Sequence, residues 1–221
     1  MTSQPNRIAI IGSALGGGAA QIIDALAGTH DVATAIFDNN EAARGAWVLG
    51  TPVVGDSAIA TISAQYARGT FDAAVIAIGG DLRERTRVFH ALRAAHIPLA
   101  NVVDPTAQLR SGVTLGVGNV ILASVFVGPH VAIGDNCYII SQTSIQHDSR
   151  IGSHVYFSPA VAIGGRVTVG DRVRFELRSA AKTGVKIGDD CVVSAGCIVT
   201  RDLEPGSRVE AAESLVTHPE P

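Results

Sequence analysis

A histidine followed at once by an aspartate, His147-Asp148, is the pair in this sequence best suited to moving a proton. An imidazole with an ordinary pKa near 6.5 accepts a proton at neutral pH, and a neighbouring carboxylate can hold its second nitrogen and stabilise the imidazolium as it forms. Such a base could take a proton from a nucleophile as it attacks. Neighbours in a strand usually point to opposite sides, so the local backbone decides whether these two side chains meet. Eighteen residues beyond His147 stands Gly165, the second residue of Gly164-Gly165. A glycine there offers a backbone amide and no side chain, as an oxyanion donor would. His130, eighteen residues before Asp148, competes for the same carboxylate. His130 and His154 both fall where a surface position is expected, and nothing ties His30, His90, His96 or His218 to the chemistry. No histidine, cysteine and carboxylate set recurs at ligand spacing, so no metal is expected.

A second group of residues lies near the start. The run RIAIIG, ending at Gly12, leads through Ser13 to Gly16 and Gly17, and the run ATAIF ends at Asp38 and Asn39. Glycines between a strand and a helix let backbone amides approach a phosphate, and an acidic residue after the second strand can bind a ribose hydroxyl. The spacing departs from G-x-G-x-x-G, and a single mononucleotide half fits, so one nucleotide suits it better than a dinucleotide. The competing reading is tight strand-to-helix packing with no ligand.

These groups need elements to hold them. Strands at Arg7–Gly12, Ala33–Phe37 and Ala73–Gly79 alternate with helices at Ala19–Ala27 and Leu82–Ala95, the second with Leu82, Phe89 and Leu92 toward the sheet. This βαβ order predicts a Rossmann-like α/β domain over residues 1–105, with its ligand at the carboxyl ends of parallel strands. From Val113 the pattern changes to a strict six-residue period: VTLGVG, NVILAS, VFVGPH and on to CIVTRD, fifteen blocks with an apolar third residue in each. The fourth residue is glycine at Gly116, Gly128, Gly134, Gly152, Gly164, Gly170 and Gly188. That period predicts a triangular solenoid with three short strands per coil and about five coils, filling residues 106–221. Glycine is expected at the corners for backbone angles that a Cβ opposes. Cys137, Cys191 and Cys197 fall at first positions, as small buried side chains; an odd number without C-x-x-C spacing gives neither a disulfide framework nor a zinc site.

The bulk composition narrows the classes. The net charge is -3 with no basic stripe, which disfavours a nucleic-acid partner. Residues 1–7 are polar and the apolar run after them is far too short for a signal peptide or a membrane span, so the expected location is the cytoplasm. With 24 glycines and 5% aromatic residues, the core must be built from small aliphatic side chains.

The stretches Ile11–Gly18 (IGSALGGG), Thr51–Asp56 (TPVVGD), Ile76–Gly80 (IAIGG), Val103–Ala107 (VDPTA), Ile145–Gly152 (IQHDSRIG), Phe157–Val169 (FSPAVAIGGRVTV) and Val199–Ser207 (VTRDLEPGS), over nearly the whole chain, resemble the bacterial sugar acyltransferases that N-acetylate nucleotide-linked amino sugars or O-acetylate sialic acid. The resemblance implies a left-handed parallel β-helix and a homotrimer with active sites between subunits. It implies acetyl-CoA as acyl donor and a nucleotide-linked amino sugar as acceptor. His147 then matches the general base and Asp148 the acid that orients it. Gly12, Ser13, Gly16, Gly17, Asp38 and Asn39 are then the candidates for the sugar nucleotide, Gly165 is assigned by the resemblance to the oxyanion donor or acyl-CoA contact, and Tyr156 and Lys182 are further candidates for the coenzyme end.

The sequence departs from that family in three places. Tyr156 stands where many members have a second histidine linked to acyl-CoA binding. Glu176, Arg178 and Lys182 occupy corners where small residues are usual, and their charges are expected to face an intersubunit groove or coenzyme phosphates. The tail Val209–Leu215 replaces a Gly-Asn-Pro-Ala stretch near the coenzyme. An acyl group other than acetyl therefore stays open, as does transfer to a sugar hydroxyl. A reading from another class, a non-catalytic trimeric protein that binds a sugar nucleotide, stays open as well.

Overall fold

The computed structural model describes residues 6–12 and 15–210; Ser13 and the tail beyond Glu210, which includes most of the divergent Val209–Leu215 segment, lie outside the described residues. The first part of the chain runs β1 (Arg7–Ile11), α1 (Gly18–Leu26), β2 (Val32–Phe37), β3 (Trp47–Val48), β4 (Thr51–Gly55), α2 (Ile59–Ala67), β5 (Ala73–Ile76) and α3 (Leu82–Ala94). These strands form one sheet in the order β3-β4-β2-β1-β5, parallel throughout except for β3 against β4. Continuous apolar runs are what a sheet covered on both faces requires. Ile8 and Ile10 accordingly pack with Ala19 and Ile22 of α1, while Ala9 and Ile11 pack with Ile62 of α2 and Val88 and Leu92 of α3.

Two differences from the sequence reading have physical reasons. Strand β5 stops at Ile76, short of Gly79, because its partner β1 ends at Ile11; the Ile76 and Ile78 carbonyls there accept from the Arg85 guanidinium at 2.5 and 3.3 Å. The buried face of α3 is Arg85, Val88, Phe89 and Leu92, with Leu82 only half-buried, so a charged residue holds the innermost helical position.

The solenoid keeps the six-residue frame without a slip. Every block from Val113 has its strand at positions two and three, and two blocks further upstream join it through strands at Val102–Val103 and Gln108–Leu109. The strands stack into parallel six-, five- and seven-stranded sheets, the three sides of a triangular parallel β-helix. The third positions from Ile121 to Val199 point inward and are buried, including Phe157 stacked on Phe175 with centroids 5.1 Å apart. The eighteen-residue step holds until the exit, where Val192 pairs with Arg208 and the last turn is two residues shorter.

The role expected for the fourth-position glycines needs correcting. None of the seven named above has a positive φ; the left-handed angles fall at sixth positions, mostly in residues with side chains, such as Asn136 (56°), Asp148 (58°) and His154 (62°). The glycines answer a steric need instead. A Cβ on Gly134 would come within 2.8 Å of the Gly152 carbonyl carbon in the next coil, and one on Gly152 within 2.6 Å of the Gly170 carbonyl carbon.

The two parts share one core. Val102, Val120, Leu122 and Tyr138 of the seven-stranded sheet pack with α1 and the outer face of the α/β sheet. On the other side α3 meets the solenoid through Arg85 and a buried polar cluster. Asn136 Nδ2 lies 2.9 Å from His154 Nδ1, and His154 is buried and not at the surface as expected, because α3 covers that corner and the His154 ring packs on Phe89 and His90. Asn136 Oδ1 is left without a partner among the described residues.

Burial, then the nearby His90 charge, pushes His154 down to about 4, with Asp171 opposing and Arg85 and Arg172 adding to the effect. Its folded value lies below the unfolded value of about 6.5, so the unfolded chain binds a proton first as the pH falls. Stability should therefore be complete above about pH 6.5 and fall toward pH 4. The variant His154→Asn, which tolerates the left-handed angle, should flatten that part of the curve, as followed by denaturant midpoints at a series of pH values.

Candidate active site

His147 lies at a corner of the solenoid, just after the strand Ser144–Ile145 of the six-stranded sheet. The next residue, Asp148, has φ 58°, and this left-handed turn breaks the up-down alternation of a strand. The adjacent side chains can therefore meet: Nδ1 of His147 and Oδ2 of Asp148 are 2.8 Å apart. The hydrogen bond from His147 holds the Asp148 carboxyl below the usual carboxylate range, with the charges of His147, His130 and Arg166 adding to it. An ionised carboxylate accepts only, so Nδ1 carries the proton in this bond and Nε2 presents a lone pair. Both side chains are about half exposed, 48% for His147 and 51% for Asp148.

His130 does not take the carboxylate. Its ring lies over Gly112, where an added Cβ would stand 2.6 Å from Nδ1. Gly165 lies one coil beyond His147 and directly beneath its imidazole: a Cβ there would stand 2.7 Å from Nε2 and 2.9 Å from Cε1. The glycine is thus what leaves room for the ring. No acceptor for its amide stands among the described residues.

Elsewhere on the solenoid the equivalent corner is closed by a ladder. The amides of Val117, Asp135, Ser153 and Asp171 each donate to the side chain of the residue eighteen positions on, Asp135, Ser153, Asp171 and Asp189. At the His147 corner that position is glycine, so nothing of the kind seals it. Lys182 is exposed on the same edge, one coil beyond Gly164 in the paired sheet.

Tyr156 stands elsewhere. Its strand belongs to the seven-stranded sheet, paired with Tyr138 and Arg174 on either side. The ring packs on Gly79, where a Cβ would come within 3.0 Å, and beneath the Arg174 guanidinium, 5.2 Å from the ring centroid. There it lines a small pocket of about 140 Å³ with Gly16, Gly18, Gln21, Gly79 and Gly80. The structure therefore brings Tyr156 together with the glycine loop and not with the His147 corner.

The glycine-rich segment has the conformation its composition demands. Gly12 (φ 85°) and Gly17 (φ 83°) are left-handed, Gly17 is the N-cap of α1, and no acidic residue occupies the first turn of that helix. The Gly12 amide donates to the Phe37 carbonyl at 2.7 Å, which places the ends of β1 and β2 side by side and Asp38 next to the loop. Asp38 is buried and its Oδ1 accepts the Asn40 amide at 2.8 Å. Asn39 accepts the Ser57 amide at 3.0 Å, bracing the turn into α2, and lines a separate pocket with Arg87. Sequence reasoning missed Arg85 and Gly79. Arg85 carries the three, four and seven spacing to Val88, Phe89 and Leu92, a legible signal of an inward charge. Among the described residues no group of three histidine, cysteine or acidic side chains could hold a metal, and no helix is long and apolar enough to cross a membrane.

A family profile described as the hexapeptide repeat of succinyl-transferase matches residues 166–201. PerB from Caulobacter crescentus, solved in complex with CoA and GDP-perosamine, is 32% identical, with a TM-score of 0.82 over 90% of this chain and 92% of that one. The acetyltransferase domain of PglB from Neisseria gonorrhoeae FA1090, solved with acetyl coenzyme A, has a TM-score of 0.81 over 92% and 95% of the two chains, and at 20% identity shares the fold alone. Among curated relatives, the acyl-[acyl-carrier-protein]--UDP-N-acetylglucosamine O-acyltransferase of Xylella fastidiosa is 35% identical over 78 residues, 35% of this chain. That match spans 30% of the relative's length.

Proposed function

Because the chain belongs to the hexapeptide-repeat acyltransferase family, we propose that it transfers an acyl group, acetyl in the simplest case, from acyl-coenzyme A to the amino group of a nucleotide-linked sugar. The observation that carries this reading is the His147 Nδ1 to Asp148 Oδ2 bond at 2.8 Å, which leaves Nε2 as a base at an open corner. His147 Nε2 takes a proton from the sugar nitrogen as that nitrogen bonds to the thioester carbon. The C–S bond breaks, and the imidazolium returns the proton to the departing thiolate. No covalent enzyme intermediate is needed, and Asp148 stabilises the imidazolium while it exists. The unengaged Gly165 amide supplies a donor for the carbonyl oxygen.

In this reading the first part of the chain is one mononucleotide half of a Rossmann-like fold, and the solenoid is a left-handed β-helix. Gly12, Gly16, Gly17 and Asp38 hold the nucleotide, with α1 offering its N-terminus to a phosphate. PerB was solved with GDP-perosamine, a nucleotide-linked sugar, which supports that acceptor class. Lys182, two rungs of the six-stranded sheet from the His147 corner, serves the coenzyme's anionic end. The half-exposed His147 and the outward apolar Leu177 and Ile198 support a homotrimer whose neighbouring subunit completes the site. Acyl-coenzyme A and a nucleotide-linked sugar as substrates support a cytoplasmic location.

The test is release of free coenzyme A thiol from acetyl-CoA on a panel of nucleotide-linked amino sugars and their hydroxyl counterparts. Turnover with an amino sugar is the expected result; turnover with hydroxyl acceptors alone would reassign the product to an ester. Binding of a sugar nucleotide without any thiol release would move the chain to a non-catalytic role. Gly165→Ala is expected to displace the imidazole and lower turnover about 10²-fold, the scale of an ångström misplacement, with the denaturant midpoint nearly unchanged. Steady-state kinetics beside a denaturation curve checks both halves.

A further inference from the structure

Two arginine-bearing walls face each other across a cavity of about 760 Å³ between α3 and the solenoid. One wall is α3, where Arg83, Arg87 and His90 recur at spacings of four and three and so share a helix face. The other is the seven-stranded sheet, where Arg174, Val192 and Arg208 stand in one outward column, in register with one another, with Arg172 at the corner beside them. Rungs lie ~4.8 Å apart, so Arg174 and Arg208 are roughly 10 Å apart along that column.

Carboxylates neutralise only part of this charge. Arg172 is engaged by Asp190 at 2.7 and 2.8 Å, and Arg87 by Glu84 at 2.6 and 2.7 Å. Asp81 is occupied as the N-cap of α3. Arg208 reaches Glu210 at 3.4 Å, with both side chains mostly exposed. Arg174 has no carboxylate among the described residues: it donates to the Gly80 carbonyl at 2.6 Å and lies over Tyr156. Arg83 makes no hydrogen bond or salt bridge among the described residues, and its charge acts only at longer range on Asp190, the carboxylate that Arg172 already holds. Guanidinium groups converging from opposite walls repel one another unless an anion lies between them. Their planar forks match phosphate oxygens, and the volume suits a small molecule.

We propose that this cavity binds a phosphate-bearing small molecule, gripped by Arg83 from α3 and by Arg174 and Arg208 from the solenoid. The site is apart from the acyl-transfer corner, since its sheet is a different side of the triangle from the one that precedes His147. It does not rest on the acyl-transfer reading. Two sources carry the same chemistry: a free phosphate or diphosphate effector, or the diphosphate arm of a nucleotide substrate, because Gly80 lines both this cavity and the Gly16 pocket.

The experiment is calorimetric titration of the full chain with inorganic pyrophosphate at low and moderate salt. The variants are Arg83→Ala, Arg83→Ala with Arg208→Ala, and Arg110→Ala as a control on the exposed surface. Saturable binding that weakens with salt, falls at least tenfold in the double variant and is unchanged in Arg110→Ala is the expected result. The single variant should fall part of the way, and circular dichroism confirms the fold of each. Absence of saturable binding to the unaltered chain, or equal binding in the double variant, overturns the site. Repeating the titration with saturating GDP or coenzyme A separates the sources: displacement assigns the phosphate to a substrate, and persistence assigns it to an independent effector.

Discussion

His147→Ala should lower acyl transfer by about 10²–10⁴-fold, the range of a lost general base. The side chain is 48% exposed and its ring rests on a glycine, so its removal opens no core cavity and the denaturant midpoint should hardly move. Binding of the sugar nucleotide should survive, because the glycine loop and Asp38 belong to the α/β sheet. Asp148→Asn is the more informative companion. Asparagine accepts the left-handed 58° angle, so the corner stays folded. Its amide can donate to Nδ1, however, and a ring so held carries its proton on Nε2, where it cannot act as a base. Asp148→Asn should therefore approach His147→Ala in rate while keeping the ring in place. Thiol release measured across pH checks this. If Asp148→Asn retained full rate, the carboxylate would not be setting the tautomer, and the base would act alone.

Arg85→Ala should cost on the order of 3–5 kcal/mol of folding stability, the scale of removing one member of a buried charged network. Arg85 is wholly buried, and its guanidinium donates to the carbonyls of Ile76 at 2.5 Å, Asn136 at 3.0 Å and Ile78 at 3.3 Å, with Tyr138 beneath it at 5.0 Å. Burial pulls its pKa down to about 10, so it remains charged at neutral pH. Its partners come from the end of β5 and from the first coils of the solenoid. Removing it strands carbonyls on both sides and leaves a void between them. Arg85→Lys keeps the charge but not the fork and should recover only part of the loss. Guanidinium or urea midpoints read at constant m-value measure both variants. A loss below about 1 kcal/mol would mean that water takes over those carbonyls without penalty.

The solenoid was legible because its signal is periodic over many blocks, so a chance misreading at one position is corrected by the next. The strands at 114–115 through 198–199 fall in the frame read from the third positions. The frame also extends upstream through Asn101 and Ala107, where Asp104 and Pro105 hide the repeat. The purpose of the fourth-position glycines was not legible. Sequence shows that a residue lacks a Cβ, but not whether backbone angle or a neighbouring coil requires it. The His147-Asp148 contact was likewise undecidable until the left-handed angle of Asp148 was known. Tyr156 was assigned by position in a motif, whereas its surroundings depend on Gly79, far away in sequence. The burial of Arg85 follows the helix spacing, yet arginine is so seldom wholly buried that composition argues against reading it that way.

The strand Val102–Val103 carries a mechanical consequence. Two residues separate it from Leu99, which bridges to Ala74 of β5, and it is itself a rung of the seven-stranded sheet, with the Val102 amide donating to the Asn119 carbonyl at 2.8 Å. There is no slack chain between the α/β sheet and the solenoid, and so no joint about which one could swing against the other. A nucleotide bound at the glycine loop, as proposed, would be carried at a fixed offset from every corner of its own chain, as a tool is in a vice. Any adjustment of distance between acceptor and base has to come from the ligand's own torsions or from how copies of the chain sit against each other.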